Sequence, residues 1–144
     1  MIRLDTYLNF NGNTEQVFNF YKKVFKSDFS KLMRFSDMPG SEKMLEKDRQ
    51  KVLHVALPIG DSTLMGTDTL DSLSQKLTMG DNFSISISLD DENETKRIFD
   101  ALSEDGLIIM SLGKESWSEL FGICKDKFDV QWMINYNSTK NYNN

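Results

Sequence analysis

Along this chain, segments in which every second residue is apolar alternate with segments whose apolar residues fall three or four apart. "RLDTYLNF" is of the first kind, and period two puts Leu4, Leu8 and Phe10 on one face of a strand and Asp5, Tyr7 and Asn9 on the other. The next segment is of the second kind. Val17, Phe20, Tyr21, Val24 and Phe25 make one helical stripe, and Asn13 is placed to cap it with Gln16 in the reciprocal position. "FSKLMRFSDM", "QKVLHVALPIG" and "STLMGTD" then read as three strands, joined by the polar stretch "PGSEKMLEKDRQ" and a turn at "GDS".

The same order of patterns returns about 80 residues later, and a recurring unit is strong evidence of architecture. "NFSISISLDD" alternates, with Phe83, Ile85, Ile87 and Leu89 on one face and Ser84, Ser86 and Ser88 on the other. A helix capped near Asp91 follows, its stripe including Ile98, Phe99 and Leu102. After "EDG" come "LIIMSLG", "SELFGICKD" and "VQWMINY". The reading is an α+β domain over 1–138 made of two βαβββ units, 1–70 and 82–138, with a linker at 71–81 and a polar tail at 139–144.

If the apolar face of each first strand meets its own helix, the opposite face must look elsewhere. That face carries Asp5, Tyr7 and Asn9 in one unit and Ser84, Ser86 and Ser88 in the other; His54 and Ala56 of "VLHVALP", and Gln131, Met133 and Asn135 of "VQWMINY", share the same parity. Small, polar and thioether groups stand there in place of the Lys and Glu that coat a solvated sheet. The pattern suggests a semi-polar surface lining a cavity. Composition narrows the partners: 17 basic against 22 acidic residues give a net charge of −5, no surplus with which to hold a phosphate backbone or anionic lipid. Nucleic acid and membrane are therefore not expected, and no run approaches the roughly 18 apolar residues of a span. One cysteine, Cys124, excludes an internal disulfide, and "MIRLDTYLNF" is too polar for a secretory leader, so a cytoplasmic protein is expected.

"YLNFNGNTEQVFNFYKKVF", "HVALPIGDSTLMGTD" and "FGICKDKFDVQWMINY" resemble, in order and spacing, the PhnB-like branch of the glyoxalase/bleomycin resistance/dioxygenase (vicinal-oxygen-chelate) superfamily, also labelled 3-demethylubiquinone-9 3-methyltransferase domains. The resemblance implies two U-shaped mixed sheets around a cavity with the helices outside, and a symmetric homodimer. It also implies metal-ligand positions on the first and last strand of each unit. Here those positions hold Asp5, Met65, Ser84 and Met133, and two thioethers with one hydroxyl are a poor set for a hard or borderline divalent ion. The glycine-rich strand-to-helix turn of S-adenosylmethionine-dependent methyl transfer is also missing from the eight scattered glycines.

The expected site is therefore a metal-free, cofactor-free cavity holding Tyr7, Asn9, His54, Met65, Ser84 and Met133, with a small organic molecule as ligand. His54, the only histidine, is read either as a satisfied structural residue or as a group suited to acid-base work near neutrality. Tyr7 and Asn9 fit a buried polar network as readily as ligand binding. Trp132 has core parity, Trp117 suits a pocket wall, Cys124 lacks the basic surroundings of a nucleophile, and Asp129, which stands where the resembling family usually has glycine, suits a turn with positive φ. Three functions fit: a protein that binds and transforms a small molecule, one that only sequesters it, and a metal-dependent lyase or dioxygenase. Elemental analysis separates the last from the others. The purified protein is expected to carry no stoichiometric divalent metal; about one zinc, iron, nickel or manganese per chain, lost on changing Asp5, would contradict this reading.

Overall fold

A computed structural model describes residues 1–138; the tail assigned to 139–144 lies outside the described residues. The chain divides between Thr78 and Met79 into two units, each built on a four-stranded mixed sheet. In the first, β1 (Thr6–Phe10), α1 (Thr14–Phe25) and β2 (Lys31–Arg34) precede a stretch of short 3₁₀ turns and the one-turn helix α2 (Glu46–Arg49), followed by β3 (Val52–Ile59) and β4 (Ser62–Asp68). The second contains β5 (Ile85–Leu89), α3 (Glu92–Ser103), β6 (Leu107–Glu115), β7 (Ser118–Lys125) and β8 (Gln131–Tyr136). Strand order is β1-β4-β3-β2 in one sheet and β5-β8-β7-β6 in the other, with the first and last strand of each unit paired in parallel.

Each sheet is covered on one face by its own long helix. In the first unit, Val17, Phe18, Tyr21 and Val24 of α1 are buried together with Leu8, Phe10, Val55, Leu57 and Leu64 of the strands. In the second, Ile98, Phe99 and Leu102 of α3 are buried with Cys124, Trp132 and Ile134. A glycine on a strand lets an aromatic ring approach closely in both. A Cβ on Gly66 would lie 2.6 Å from Cε2 of Phe18, and one on Gly122 would lie 2.8 Å from Cε2 of Phe99. Phe18, which has no exposed surface, falls outside the stripe read from the sequence; the glycine facing it makes its room.

Several local expectations are corrected. Leu4 precedes β1 and is 91% exposed, and Phe83 precedes β5 and is 53% exposed, so neither joins the helix-covered face. β2 ends at Arg34, where the register shifts and the chain turns into a 3₁₀ helix at Phe35–Asp37 closed by Asp37 accepting from the Arg34 amide at 2.8 Å. Asn13 does not cap α1 with its side chain. The buried carboxylate of Asp68 does so instead, from the end of β4: Oδ1 accepts the Thr14 amide at 3.0 Å and Oδ2 the Val52 amide at 2.8 Å. Asp91, by contrast, caps α3 as read, accepting the Glu94 amide at 2.7 Å. Asp129 adopts φ 69° in the turn before β8, as its position in the sequence suggests.

Asp68 thus ties the start of α1, the start of β3 and the end of β4 into one knot. Removing it orphans two amide donors, one of them in a helix first turn. Asp68→Ala is expected to cost roughly 2–4 kcal/mol in urea unfolding, the sum of a lost cap and an unsatisfied buried donor. Asp68→Asn, which keeps one acceptor oxygen, is expected to lose less; equal losses would show that the two amides are not what the carboxylate stabilises.

Candidate functional site

The face of the first sheet opposite α1 is built by parity from β1, β4, β3 and β2. Tyr7 stands opposite Met65 and Asn9 opposite Thr67 across the β1/β4 pair; Met65 stands opposite Ala56, and His54 opposite Met33. Tyr7 and His54 belong to strands separated by β4, about two strand spacings of 4.8 Å apart. They meet nonetheless. The Tyr7 hydroxyl lies 3.0 Å from Nδ1 of His54, with ring centroids 5.6 Å apart, which requires both side chains to lie over β4 on the same face. Tyr7 is 44% exposed, Asn9 is exposed, and His54 and Met65 are half-buried, so this is a partly open surface and not a second core.

The electrostatics follow from that geometry. Burial lowers the His54 pKa below its ordinary value, and the nearby charge of Lys31 lowers it further. Burial raises the Tyr7 pKa, with a smaller opposing effect from the Thr67 hydroxyl. Thr67 itself donates to the Leu53 carbonyl at 2.7 Å. Asp5, the acidic member of the expected ligand set, is already engaged: it pairs with Arg3 at 2.6 Å and accepts the Thr63 amide at 2.9 Å, and these contacts hold its carboxyl below the usual range. It ties the entry of β1 to the start of β4 instead of facing outward as a free donor.

In the second unit the corresponding face carries Met133 opposite Ser86 and Ile123, and Asn135 opposite Ser88 and Phe121. Ser84 precedes β5 and accepts a hydrogen bond from Nε2 of Gln131 at 2.6 Å. Oδ1 of Asn135 is buried without a hydrogen-bond partner among the described residues. A buried acceptor left this way is satisfied by a water or by a donor on a bound molecule. Trp117, 60% exposed in the turn between β6 and β7, packs edge-on against Phe121. Cys124 is fully buried, and burial with the nearby Asp126 pushes its pKa up to about 12, so the thiol is inert.

The structure therefore brings Tyr7, His54 and Met65 together, leaves Asn9 exposed at the end of the same strand, and places Ser84 and Met133 in the other unit. Sequence reading passed over Thr67, Met33 and Asn135's unpaired oxygen. Thr67 and Met33 share the parity of Met65 and His54 and were available from it; the state of Asn135 depends on packing that parity does not give. Among the described residues no group of three or more His, Cys, Asp or Glu is placed to hold a metal ion.

With this geometry established, comparison with known proteins identifies the relatives. Residues 3–135 match the family described as 3-demethylubiquinone-9 3-methyltransferase. The chain belongs to this family. It is similar to protein PA1353 from Pseudomonas aeruginosa, at 30% identity and TM-score 0.85 over 96% of this chain and 99% of that one. The PhnB protein from Bacillus cereus is 25% identical, with TM-score 0.76 over 94% and 100% of the two chains. At the level of fold alone, a glyoxalase/bleomycin resistance protein/dioxygenase family enzyme from Burkholderia phytofirmans is 14% identical with TM-score 0.58, over 92% and 98%. The chain is thus a PhnB-like member of that family with the fold of glyoxalase/bleomycin resistance/dioxygenase proteins, and no helix among its described residues is long and apolar enough to cross a membrane.

The depressed His54 pKa sets a testable pH response. The folded state resists the proton that the unfolded chain accepts near pH ~6.5, so the unfolded chain binds more protons as pH falls below that value. Stability is therefore lost on acidification from about 6.5 down through the folded pKa, and constant below it as far as this group is concerned. NMR titration of the single histidine is expected to give a midpoint below 6.5, and His54→Gln is expected to flatten that part of the stability profile. A midpoint above 6.5 would reverse the sign and contradict the account.

Proposed function

We propose that this PhnB-like protein binds a small organic molecule on the helix-free face of its first sheet, without a metal, and that Tyr7, Asn9, His54 and Met65 contact it. The observation that carries this reading is the Tyr7–His54 hydrogen bond, laid across β4 on a partly exposed surface with Met65 beside it. A polar pair set among thioether and alanine side chains is the composition of a ligand site: apolar contact area with a few placed hydrogen-bonding groups. Ser84 and Met133 are proposed to serve a ligand in the second unit, where Asn135 offers an unpaired acceptor.

Methyl transfer, the activity in the family's description, gains no support from the strand-to-helix turns. β1 leads into α1 through Asn11, Gly12 and Asn13, and β5 into α3 through Asp90 and Asp91. A single glycine in one turn and two carboxylates in the other are poorly suited to cradling an anionic or carboxylate-bearing cofactor. The proposal further places the protein in the cytoplasm as a homodimer. In support, the edge strand β6 exposes Leu107, Ile108, Ile109 and Met110, at 59, 50, 49 and 40%, beside an unpaired backbone edge.

Two measurements test these statements. Screening of small-molecule fragments by protein-observed NMR is expected to shift resonances of Tyr7, His54 and Met65, and His54→Ala is expected to weaken the hits roughly fivefold, the effect of one lost hydrogen bond of about 1 kcal/mol. Hits that map elsewhere, or that His54→Ala leaves unchanged, would overturn the site. Light scattering at micromolar concentration is expected to report twice the 16.6 kDa chain mass, and a monomer mass would overturn the dimer.

A further inference from the structure

We propose that the Tyr7–His54 pair is a preset hydrogen-bond donor: Tyr7 gives its proton to Nδ1, His54 carries its own on Nε2, and the ligand of this face presents a carbonyl or carboxylate oxygen to that N–H. This rests on the binding reading above and names the chemistry the site selects.

The direction of the bond decides the matter, because neutral imidazole has one donor nitrogen and one acceptor. Two hydroxyls and one ring meet over β4. The Thr67 hydroxyl has one hydrogen, and at 2.7 Å it is committed to the Leu53 carbonyl. With its hydrogen directed at Leu53, Thr67 gives the Tyr7 oxygen at most a weak second contact. The Tyr7 hydroxyl, 3.0 Å from Nδ1, is left to donate or to accept. A phenol of pKa about 10 facing a base whose conjugate acid has pKa about 6.5 is a well-matched donor and acceptor; the reverse arrangement pairs the feeble acidity of an imidazole N–H with the feeble basicity of a phenol. Tyr7 therefore donates.

The charge environment keeps this arrangement in place. Burial and the Lys31 ammonium both oppose protonation of His54, so the ring stays neutral and its Nδ1 stays an acceptor. Among the described residues, the carboxylate on this face, Asp5, is bound to Arg3 and the Thr63 amide and does not counter this. With Nδ1 occupied, the remaining polar atom of the ring is Nε2–H. Its neighbours by register are Met33 across the β2/β3 pair and, one step further along β3, Ala56 facing Met65. None of these competes as a strong acceptor. A ligand oxygen would find a donor there, a nearby cation in Lys31, and apolar contacts for its carbon skeleton. A ligand ammonium would meet only neutral acceptors and the repelling charge of Lys31.

The single histidine makes the test unambiguous. In protein labelled with 15N-histidine, long-range 1H–15N correlation above the titration midpoint is expected to show one neutral species, with Nδ1 unprotonated and far downfield and Nε2 protonated. In Tyr7→Phe the two nitrogen shifts are expected to move toward each other as the tautomers mix. A dominant Nδ1–H species, or no change in Tyr7→Phe, would overturn the assignment. Titration with benzoate is then expected to perturb Nε2–H, with an apparent affinity roughly 2- to 10-fold weaker in Tyr7→Phe, the range of one hydrogen bond. Benzylamine, of similar size and opposite charge, is expected to leave it unmoved. Binding of benzylamine at His54 equal to that of benzoate would overturn the ligand class. If the tautomer is as stated but neither fragment perturbs any residue of the face, the binding reading fails and the acceptor claim falls with it, while the donor geometry of the pair survives.

Discussion

A four-stranded sheet has two faces, and each unit of this chain supplies one long helix. That inequality governs the rest. Side chains of the parity that meets α1 or α3 form the core, with Val55, Leu57, Cys124, Trp132 and Ile134 fully buried, whereas those of the other parity must be satisfied without a helix. The chain resolves the second demand with side chains that bond one another along the sheet: Tyr7 to His54 in the first unit, Gln131 to Ser84 in the second. The result is a face neither as charged as a solvated surface nor as closed as a core, and the proposed ligand site rests on that intermediate character.

The partition also explains where charge is buried. Three carboxylates, Asp48, Asp68 and Asp126, lie at 1–3% exposure, and each holds the chain at a junction. Asp68 joins α1, β3 and β4. Asp126 accepts the Phe128 and Val130 amides and Nε1 of Trp132, shaping the turn that sets β8 in register. Asp48 receives Ser72 Oγ at 2.6 Å and Lys51 Nζ at 3.2 Å, tying α2 to the segment after β4. Buried carboxylates that already accept several bonds are structural pins and have little capacity left for a metal or a proton relay.

Much of this was legible in the sequence because alternation and helical stripes are local. "VLHVALP" assigns His54 to the face away from Leu53, Val55 and Leu57 without knowledge of any partner, and Asp91 caps α3 from three residues away. The misreadings share a cause. The Asn13 cap was replaced because Asp68, 54 residues from Thr14 in sequence, takes the first amide of the helix. Phe18, outside the predicted stripe, joins the core because Gly66 opens a space for its ring. Leu4 and Phe83 continued the alternation one step past the point where strand pairing begins. Local pattern says which way a residue points; it does not say which distant group competes for a hydrogen bond, or where a ladder ends. The Tyr7–His54 contact is the clearest case, since parity put both on one face but only the strand order β1-β4-β3 brings them within reach.

The central claim is that the two faces do different work, and a comparison of paired truncations in equilibrium unfolding tests it. Leu57, fully buried on the helix side of β3, and His54, half-buried on the other, stand three residues apart on the same strand. Leu57→Ala is expected to cost about 2–5 kcal/mol, as for other large core truncations. His54→Ala is expected to cost less than about 1 kcal/mol, within the range of one partly exposed hydrogen bond. Losses of equal size would mean that His54 belongs to a second core and that the face is closed to ligands.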